Sequence, residues 1–337
     1  MRVVIVGGGF AGLLLARALE RRGVAATVIE RGPARRTIPG PIMLPVQAFD
    51  PLQDVGLLEA IRAAGRDIAP GPDGMPVAIA VRRQVILEAL LEGADVAHDH
   101  EVVDLLRRGE RVTGVRVRGP AGARELPADL VVGADGVRSG VRSMAGLEAE
   151  LRDVPGATLS FRSPVESDVP FAMRYLADGR QVGLLGYPGG SAGWWQIEGV
   201  GRHAALAPGV EAFVAAFTRL LPEAAAALTG VRREDQLIYR TVTEVRCATW
   251  WRPGVALIGE AAHAIDPETG IGSGLGMGDA LALAVAVVAA GDDPDRAASE
   301  YERWRRPAVA PYEAVGAEGT RLARGGPLLD EERWPPR

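Results

Sequence analysis

Gly7-Gly8-Gly9-Phe10-Ala11-Gly12 follows directly on the apolar run Val3 to Val6. Ala16, Leu19 and Gly23 carry a helical pattern from there to a second apolar strand, Ala26 to Ile29, which ends on Glu30. Each residue type has a mechanical reason. Gly7 permits the tight turn out of the strand, and Gly9 lets the backbone approach phosphate oxygens. Gly12 lets the helix lie close to the sheet, with its N-terminal amides and dipole facing negative charge. A carboxylate at Glu30 accepts the hydroxyls of an adenosine ribose. Glycines alone are weak evidence. Strand, glycines, helix, second strand and terminal acid in that order predict a dinucleotide-binding unit at the start of the chain.

The bulk of the chain narrows the partners. Its 337 residues suffice for two domains or one large one. Hydrophobic content of 47% and charged content of 24% are ordinary for a soluble globular protein. A net charge of −5 argues against nucleic acid and anionic membrane surfaces. Cys247 is the only cysteine, so there is no internal disulfide and no cysteine-based metal cage. His98, His100 and His203 show no ligand spacing, and no metal site is expected. All 38 residues in the Lys+Arg count are arginines, and asparagine is absent too. Catalysis by lysine and N-linked glycosylation are therefore excluded. Heavy use of Ala, Arg, Gly and Pro reads as the codon bias of a GC-rich bacterium, and a cytoplasmic location is expected. Met1 to Leu19 has the outline of a secretory signal, but the glycine spacing and Glu30 account for the same residues better. Ala280 to Ala290 is too short to span a bilayer and reads as a buried helix.

After Glu30 comes a Pro- and Gly-rich stretch, Gly32 to Pro45, then a helical pattern from Ala48 to Ala64. A strand at Val77 to Val81 leads to a helix from Arg83 to Leu91. Strand patterns at Val102 to Leu106, Val112 to Val117 and Leu130 to Gly133 suggest a β-meander returning to the main sheet. Residues 157 to about 250 differ in texture. Strand-like pieces (Ala157 to Phe161, Val182 to Gly186, Trp194 to Glu198, Gln236 to Val242) surround one helix, Val210 to Leu221. From Val255 an apolar strand returns, followed by a glycine-rich loop, a long alanine-rich helix and a C-terminal helix from Pro294 to Ala317. The expected fold is α/β. A Rossmann-type dinucleotide domain with a β-meander (1–156 and 252–330) is interrupted by an inserted mixed or antiparallel sheet domain for substrate (157–251). The strand at 75–82 is a candidate member of that second sheet.

Two further motifs stand out. Leu130 to Arg142 reads Leu-Val-Val-Gly-Ala-Asp-Gly-Val-Arg-Ser-Gly-Val-Arg. Val255 to His263 reads Val-Ala-Leu-Ile-Gly-Glu-Ala-Ala-His and is followed by Pro267, Gly270, Gly272 and Asp279. With the first motif, and over nearly the whole chain, these resemble the single-component FAD-dependent aromatic hydroxylases, the para-hydroxybenzoate hydroxylase-like monooxygenases. The resemblance implies FAD held by Gly7, Gly9, Phe10, Ala11, Gly12, Glu30, Arg31, Arg83, Val102, Asp135, Gly136, Gly259, Glu260, Pro267, Gly270, Ile271, Gly272 and Ser273. Of these, Pro267, Gly270 and Gly272 would pass beside the isoalloxazine ring, and Ser139 and Arg142 match later positions of the Asp-Gly element. Three positions depart from the family pattern: Glu260 replaces aspartate, Ile271 replaces glutamine and Gly274 replaces asparagine. The last loop is readable on its own. A glycine-rich turn opening a long helix presents unpaired amides and partial positive charge, which favours the negative pyrimidine side of a reduced flavin.

The expected activity is FAD-dependent, NAD(P)H-consuming monooxygenation through a flavin C4a-hydroperoxide, hydroxylating or epoxidising an apolar, aromatic or polycyclic secondary metabolite. Partners are then a small-molecule substrate and O2, with the protein a monomer or homodimer. Arg174, Tyr175, Tyr187, Trp195, Tyr239 and Arg240 are substrate-facing candidates, although strand alternation leaves half of such residues pointing away. Two alternatives stay open: a flavin dehydrogenase or reductase without oxygen transfer, and a redox-silent scaffold or cyclase on the same fold. His263, at a strand end, reads as a structural hydrogen-bonder, and Cys247 as a small buried hydrophobe. Gly189 to Gly193 matches a hydrolase nucleophile elbow, but a strand-like run follows where a helix is required, so a hairpin is expected. Trp194-Trp195-Gln196-Ile197 resembles the tryptophan motif of flavin halogenases, whose required lysine this chain lacks.

Overall fold

The computed structural model describes residues 1–70, 76–323 and 328–329. Its first sheet has six strands, in the order Trp251–Arg252, Val255–Leu257, Leu130–Gly133, Val3–Val6, Ala26–Ile29, Val96–Ala97. All pairs are parallel except the outermost, Trp251–Arg252 on Val255–Leu257. The two central strands, Val3–Val6 and Leu130–Gly133, are apolar and buried throughout, as a sheet covered on both faces requires. Helix Phe10–Glu20 packs on one side against the long helix Gly272–Ala290, which in turn packs against helix Pro294–Ala323. At 19 residues and a mean hydropathy of 1.7, Gly272–Ala290 is long and apolar enough to cross a membrane, contrary to the expectation of a short stretch. Yet 56% of its 18-residue apolar stretch is buried inside the protein, as in a core helix.

The meander is Glu101–Arg108, Arg111–Gly119 and Gly122–Pro127, and Leu130–Gly133 then joins the main sheet. Its third strand went unread because Gly122–Pro127 is almost wholly exposed and carries no apolar alternation. The single helix expected over 48–64 is two short ones, Phe49–Asp54 and Leu58–Ala63. Gly56, at φ +74°, breaks them apart.

A second six-stranded sheet runs Leu237–Arg240, Ala157–Ser163, Gly190–Ile197, Gln181–Tyr187, Phe171–Leu176, Leu328–Leu329. One face is covered by helix Gly209–Leu220, where Phe161, Phe213, Phe217 and Trp195 form the core. Gln181–Tyr187 and Gly190–Ile197 form the expected hairpin, and Ser191 is buried with its hydroxyl donating to the Val165 carbonyl at 2.8 Å. Thr243–Cys247 does not continue this sheet. It pairs with Ala149–Asp153 and His263–Ala264 in a separate three-stranded sheet. Of the expected strand 75–82, residue 75 lies outside the described residues. Pro76–Arg82 pairs with Pro41–Pro45 and Arg66–Pro70 in a sheet of its own, and Ile68, Ala78 and Ala80 pack from it onto Leu185 and Tyr187 of the second six-stranded sheet.

Candidate active site

The first glycine turn is held by sterics as much as by hydrogen bonds. Gly7 sits at φ +112°, its amide donating to the Ile29 carbonyl at 2.9 Å, and a Cβ there would lie 2.4 Å from the Ala134 carbonyl oxygen. At Gly12 a Cβ would lie 2.1 Å from the Gly7 oxygen, so helix and turn touch directly. At Gly9 a Cβ would meet nothing within 4 Å. That open backbone faces a cavity of about 1270 Å³. The helix it caps has no side-chain cap, so its first amides are free for an anion. Glu30 accepts from the amides of Gly8 and Gly32, both at 2.7 Å, and pairs with Arg36 at 3.2 Å.

The Asp-Gly motif works mostly as scaffold. Asp135 accepts from Ser139 Oγ at 2.5 Å and from the amides of Gly140 and Val141 at 2.7 and 3.1 Å, capping the helix Gly140–Met144. Buried Arg142 then donates to the carbonyls of Ala261 and Val137 at 2.9 and 2.8 Å, fastening this motif to the third one. Asp279 does the same from the other side. It accepts from the Gly259 amide at 2.9 Å, from Arg305 Nε at 2.9 Å and pairs with His263 Nε2 at 2.6 Å. Burial alone would push its carboxyl up, but His263 and Arg305 hold it below the ordinary carboxylate value. His263 is thus a structural partner at this point, buried against Trp250. Burial pushes the Cys247 thiol up to about 11, and it lies off the cavity.

The same cavity continues from Gly7 and Gly9 past Glu30, Arg31 and Val102, then Asp135, Gly136, Gly259 and Glu260, to Pro267, Gly270, Gly272 and Ser273. Phe10, Ala11 and Arg83 line it as well. Two expected members do not. Gly12 is buried behind the turn, and Ile271 points its side chain into the core at the start of the 272–290 helix. The Gly274 departure has a steric cause: a Cβ there would lie 2.9 Å from both Gln47 Cβ and Pro45 Cγ, leaving no room for an amide side chain. Glu260 is exposed, and its Oε2 lies 3.9 Å from where a Gly136 Cβ would be. Burial, then Arg240, lower the Arg83 guanidinium from its ordinary value; Glu260 opposes the shift and Arg162 adds to it.

The substrate candidates need correction. Arg174, Val182, Trp195, Leu159 and Tyr239 form one cross-strand row on the second six-stranded sheet. That row faces the helices: Trp195 is fully buried, Tyr239 packs beside the same core, and Arg174 pairs with Glu223 at 2.5 Å. The neighbouring row, Met173, Gly183, Trp194, Ser160 and Ile238, faces the cavity instead. Tyr175 and Tyr187 are buried and do not line the cavity, whereas Arg240 does. Sequence reasoning also missed Arg36, Arg162 and Phe171. The available signal was alternation along each strand: a register one residue over exchanges the two faces.

A family model described as an FAD binding domain matches residues 1–70 and 79–314. The chain belongs to that family. It is a flavin-dependent monooxygenase with FAD as its cofactor. Kynurenine 3-monooxygenase of Salinispora arenicola is 31% identical, over 91% of this chain and 76% of that protein. The 2-heptyl-3-hydroxy-4(1H)-quinolone synthase of Pseudomonas aeruginosa is 28% identical, over 81% of this chain and 77% of its own. Among solved structures, Pseudomonas aeruginosa PqsL in complex with 2-aminobenzoylacetate shares the fold at a TM-score of 0.80 and 22% identity, covering 94% of each chain. The residues present fit the cofactor. Gly9 leaves open space where a phosphate would approach, and one groove joins that turn to the Gly270 loop.

Proposed function

We propose that the enzyme holds FAD along this groove and oxygenates an aromatic or polycyclic small molecule lying between the flavin and the second six-stranded sheet. NAD(P)H supplies the electrons. The observation that carries the reading is the single cavity, about 1270 Å³, shared by the first glycine turn, the Gly270 loop and the Trp194 row. Ligand pockets commonly measure roughly 300–1,000 Å³, so this volume suits a cofactor together with a second molecule.

The chain's own residues have distinct tasks. Helix Phe10–Glu20 directs its free amides at the diphosphate, and Glu30 holds the adenosine ribose. Arg83 and Glu260 flank the groove farther along, toward the ribityl chain and ring. Pro267, Gly270 and Gly272 keep bulk away from the ring's face. The 272–290 helix starts there with no acidic residue in its first turn, so its dipole favours negative charge beside it. The bound flavin supplies reduction by NAD(P)H and activation of O2; the protein supplies position and exclusion of water. Trp194 and its row set where the substrate ring lies.

The test is purification followed by turnover. A yellow protein whose NADPH or NADH oxidation is stimulated by an aromatic substrate, with label from ¹⁸O2 in the product, supports the reading. Stimulated oxidation without label in the product points to a dehydrogenase, and a protein that takes up no FAD rejects the cofactor placement.

A further inference from the structure

Backbone geometry does not account for the glycine at the centre of the cavity floor. Gly183 lies inside the strand Gln181–Tyr187, and its φ falls outside the left-handed region, so its conformation does not call for glycine. A glycine inside a strand weakens it and marks a close approach by another group. Here that group is Trp194, its cross-strand partner. A Cβ on Gly183 would lie 2.2 Å from Trp194 Cζ2 and 2.6 Å from Cε2 and Cη2. The indole, rooted on one strand, is therefore laid flat across the next, about 4.8 Å away.

The opposite face of the sheet uses the same device for a different end. A Cβ on Gly193 would lie 2.2 Å from Phe161 Cε1, and there the ring is sealed beneath helix Gly209–Leu220 by Phe213 and Phe217. Trp194 instead lines the cavity, half-buried, with Phe171 beside it at a centroid distance of 6.1 Å and planes 36° apart. Met43 joins this group and reaches the Gly270 loop, where a Cβ on Gly270 would meet its Cε at 2.6 Å. The open plane of the indole thus lies at the ring end of the groove. No other position in its row offers such a berth, because Met173, Ser160 and Ile238 all carry a Cβ. Side chains on a sheet otherwise stand roughly perpendicular to it, and an upright indole would take its full length out of the cavity's height.

We propose that Gly183 is a specificity-determining residue. By holding Trp194 flat it makes the floor a platform for the face of a planar, fused-ring substrate and keeps the height that such a molecule needs. The inference rests on the flavin reading of this cavity and narrows its substrate class from aromatic or polycyclic to flat and at least bicyclic. Offset stacking of two aromatic planes adds to what burial alone contributes, and saturating the ligand's rings removes it.

The experiment titrates FAD-loaded enzyme with phenol, 2-naphthol and decahydro-2-naphthol, read by the flavin difference spectrum. The parent is expected to bind 2-naphthol ~10-fold or more tightly than phenol, from burial of the second ring. It should also bind 2-naphthol roughly 2–10-fold more tightly than the saturated compound. Gly183→Ala lifts the indole, and the naphthol-to-phenol ratio falls to about 1. Trp194→Ala abolishes the preference for the planar naphthol, and adding Gly183→Ala to it changes no ratio further, since no indole remains to displace. Gly193→Ala, an equal burden on the opposite face, leaves both ratios as in the parent. Phenol bound as tightly as 2-naphthol by the parent overturns the proposal, as does a Gly183→Ala effect that persists without the indole. A Gly193→Ala variant with the same loss, or a planar preference that survives Trp194→Ala, overturns it too. If Gly183→Ala does not fold, the planar-to-saturated ratios of the parent and Trp194→Ala decide alone. Failure of the flavin reading looks different: FAD is not taken up before any ligand is added, and thermal shift of the apoprotein with the same three compounds still reports on Gly183 and Trp194.

Discussion

Alanine at Gly12 and alanine at Gly9 separate what the first motif does for folding from what it does for the cofactor. At Gly12 the new methyl would sit 2.1 Å from the Gly7 oxygen and 3.2 Å from Ala134 Cβ, more than an ångström inside ordinary contact. Gly7 cannot yield cheaply, because its φ of +112° and its bond to Ile29 fix the turn. The helix must therefore back away from the sheet. Overpacking of this kind costs about 1–3 kcal/mol, offset in part by the better helix propensity of alanine, worth up to ~1 kcal/mol. A fall in Tm of a few degrees follows, at roughly 2 °C per kcal/mol in a chain of this size. The same retreat withdraws the helix amides from the phosphate site. Losing one or two charge-assisted bonds of ~1.5–3 kcal/mol each weakens FAD by at least 10-fold. At Gly9 the methyl meets nothing within 4 Å, and the backbone at φ −80° suits alanine. That variant's apoprotein should melt within about 1 °C of the parent yet also lose FAD, since the methyl stands where phosphate must approach. Differential scanning fluorimetry of the apoproteins and the FAD content of purified protein decide the matter. A Gly12→Ala variant that stays yellow and equally stable would refute the reasoning, as would a Gly9→Ala apoprotein destabilised to the same degree.

Other expectations follow from the same geometry. Gly274→Asn, which restores the family's usual residue, should destabilise the fold by about 1–3 kcal/mol in urea unfolding, because its Cβ would crowd Gln47 and Pro45. Asp279→Asn should lower stability at neutral pH by ~3 kcal/mol, because it removes a fully buried carboxylate and leaves half-buried Arg305 without its counter-charge. The parent's Asp279 carboxyl is held below its unfolded value of about 3.9, so its contribution is complete above that pH and is lost as pH falls through the lower folded value. Tm measured from pH 5 downward should accordingly fall more steeply in the parent than in Asp279→Asn. Trp195→Ala should cost about 3–5 kcal/mol of stability in denaturant while leaving FAD content unchanged, since Trp195 is fully buried in the helix-side core. Trp194→Ala should do the reverse, keeping stability and raising the substrate KM by roughly 10-fold or more in steady-state NADPH oxidation.

Local signals carried the cofactor half of the molecule. Gly7, Gly12 and Glu30 act through backbone geometry within one strand–helix–strand unit, so their spacing already states their positions. The parallel strands around them are continuous apolar runs, which read easily. What escaped notice lacked a local signature. Gly122–Pro127 is a strand only because Arg111–Gly119 offers it a partner. Asp135 lines the groove and also holds the start of the helix Gly140–Met144 through Ser139 and the Gly140 amide, a second task that a carboxylate followed four residues on by a serine does not announce in sequence.

The substrate half was opaque for a different reason. The choice between Trp194 and Trp195, or between Tyr239 and its neighbours Ile238 and Arg240, depends on which face of one sheet the helix Gly209–Leu220 covers. That face is settled by Phe213 and Phe217 closing on Phe161, with centroids 6.3 and 5.1 Å apart, and those residues come from strand and helix segments about fifty positions distant. Once Phe161 is assigned to the core, alternation along its own strand sends Ser160 and Arg162 to the other side, and the strand register carries that assignment across to Trp194 and Ala192. One long-range aromatic contact therefore decides the orientation of every side chain on the floor. Arg162 is a cavity cation because Phe161 beside it is a core residue.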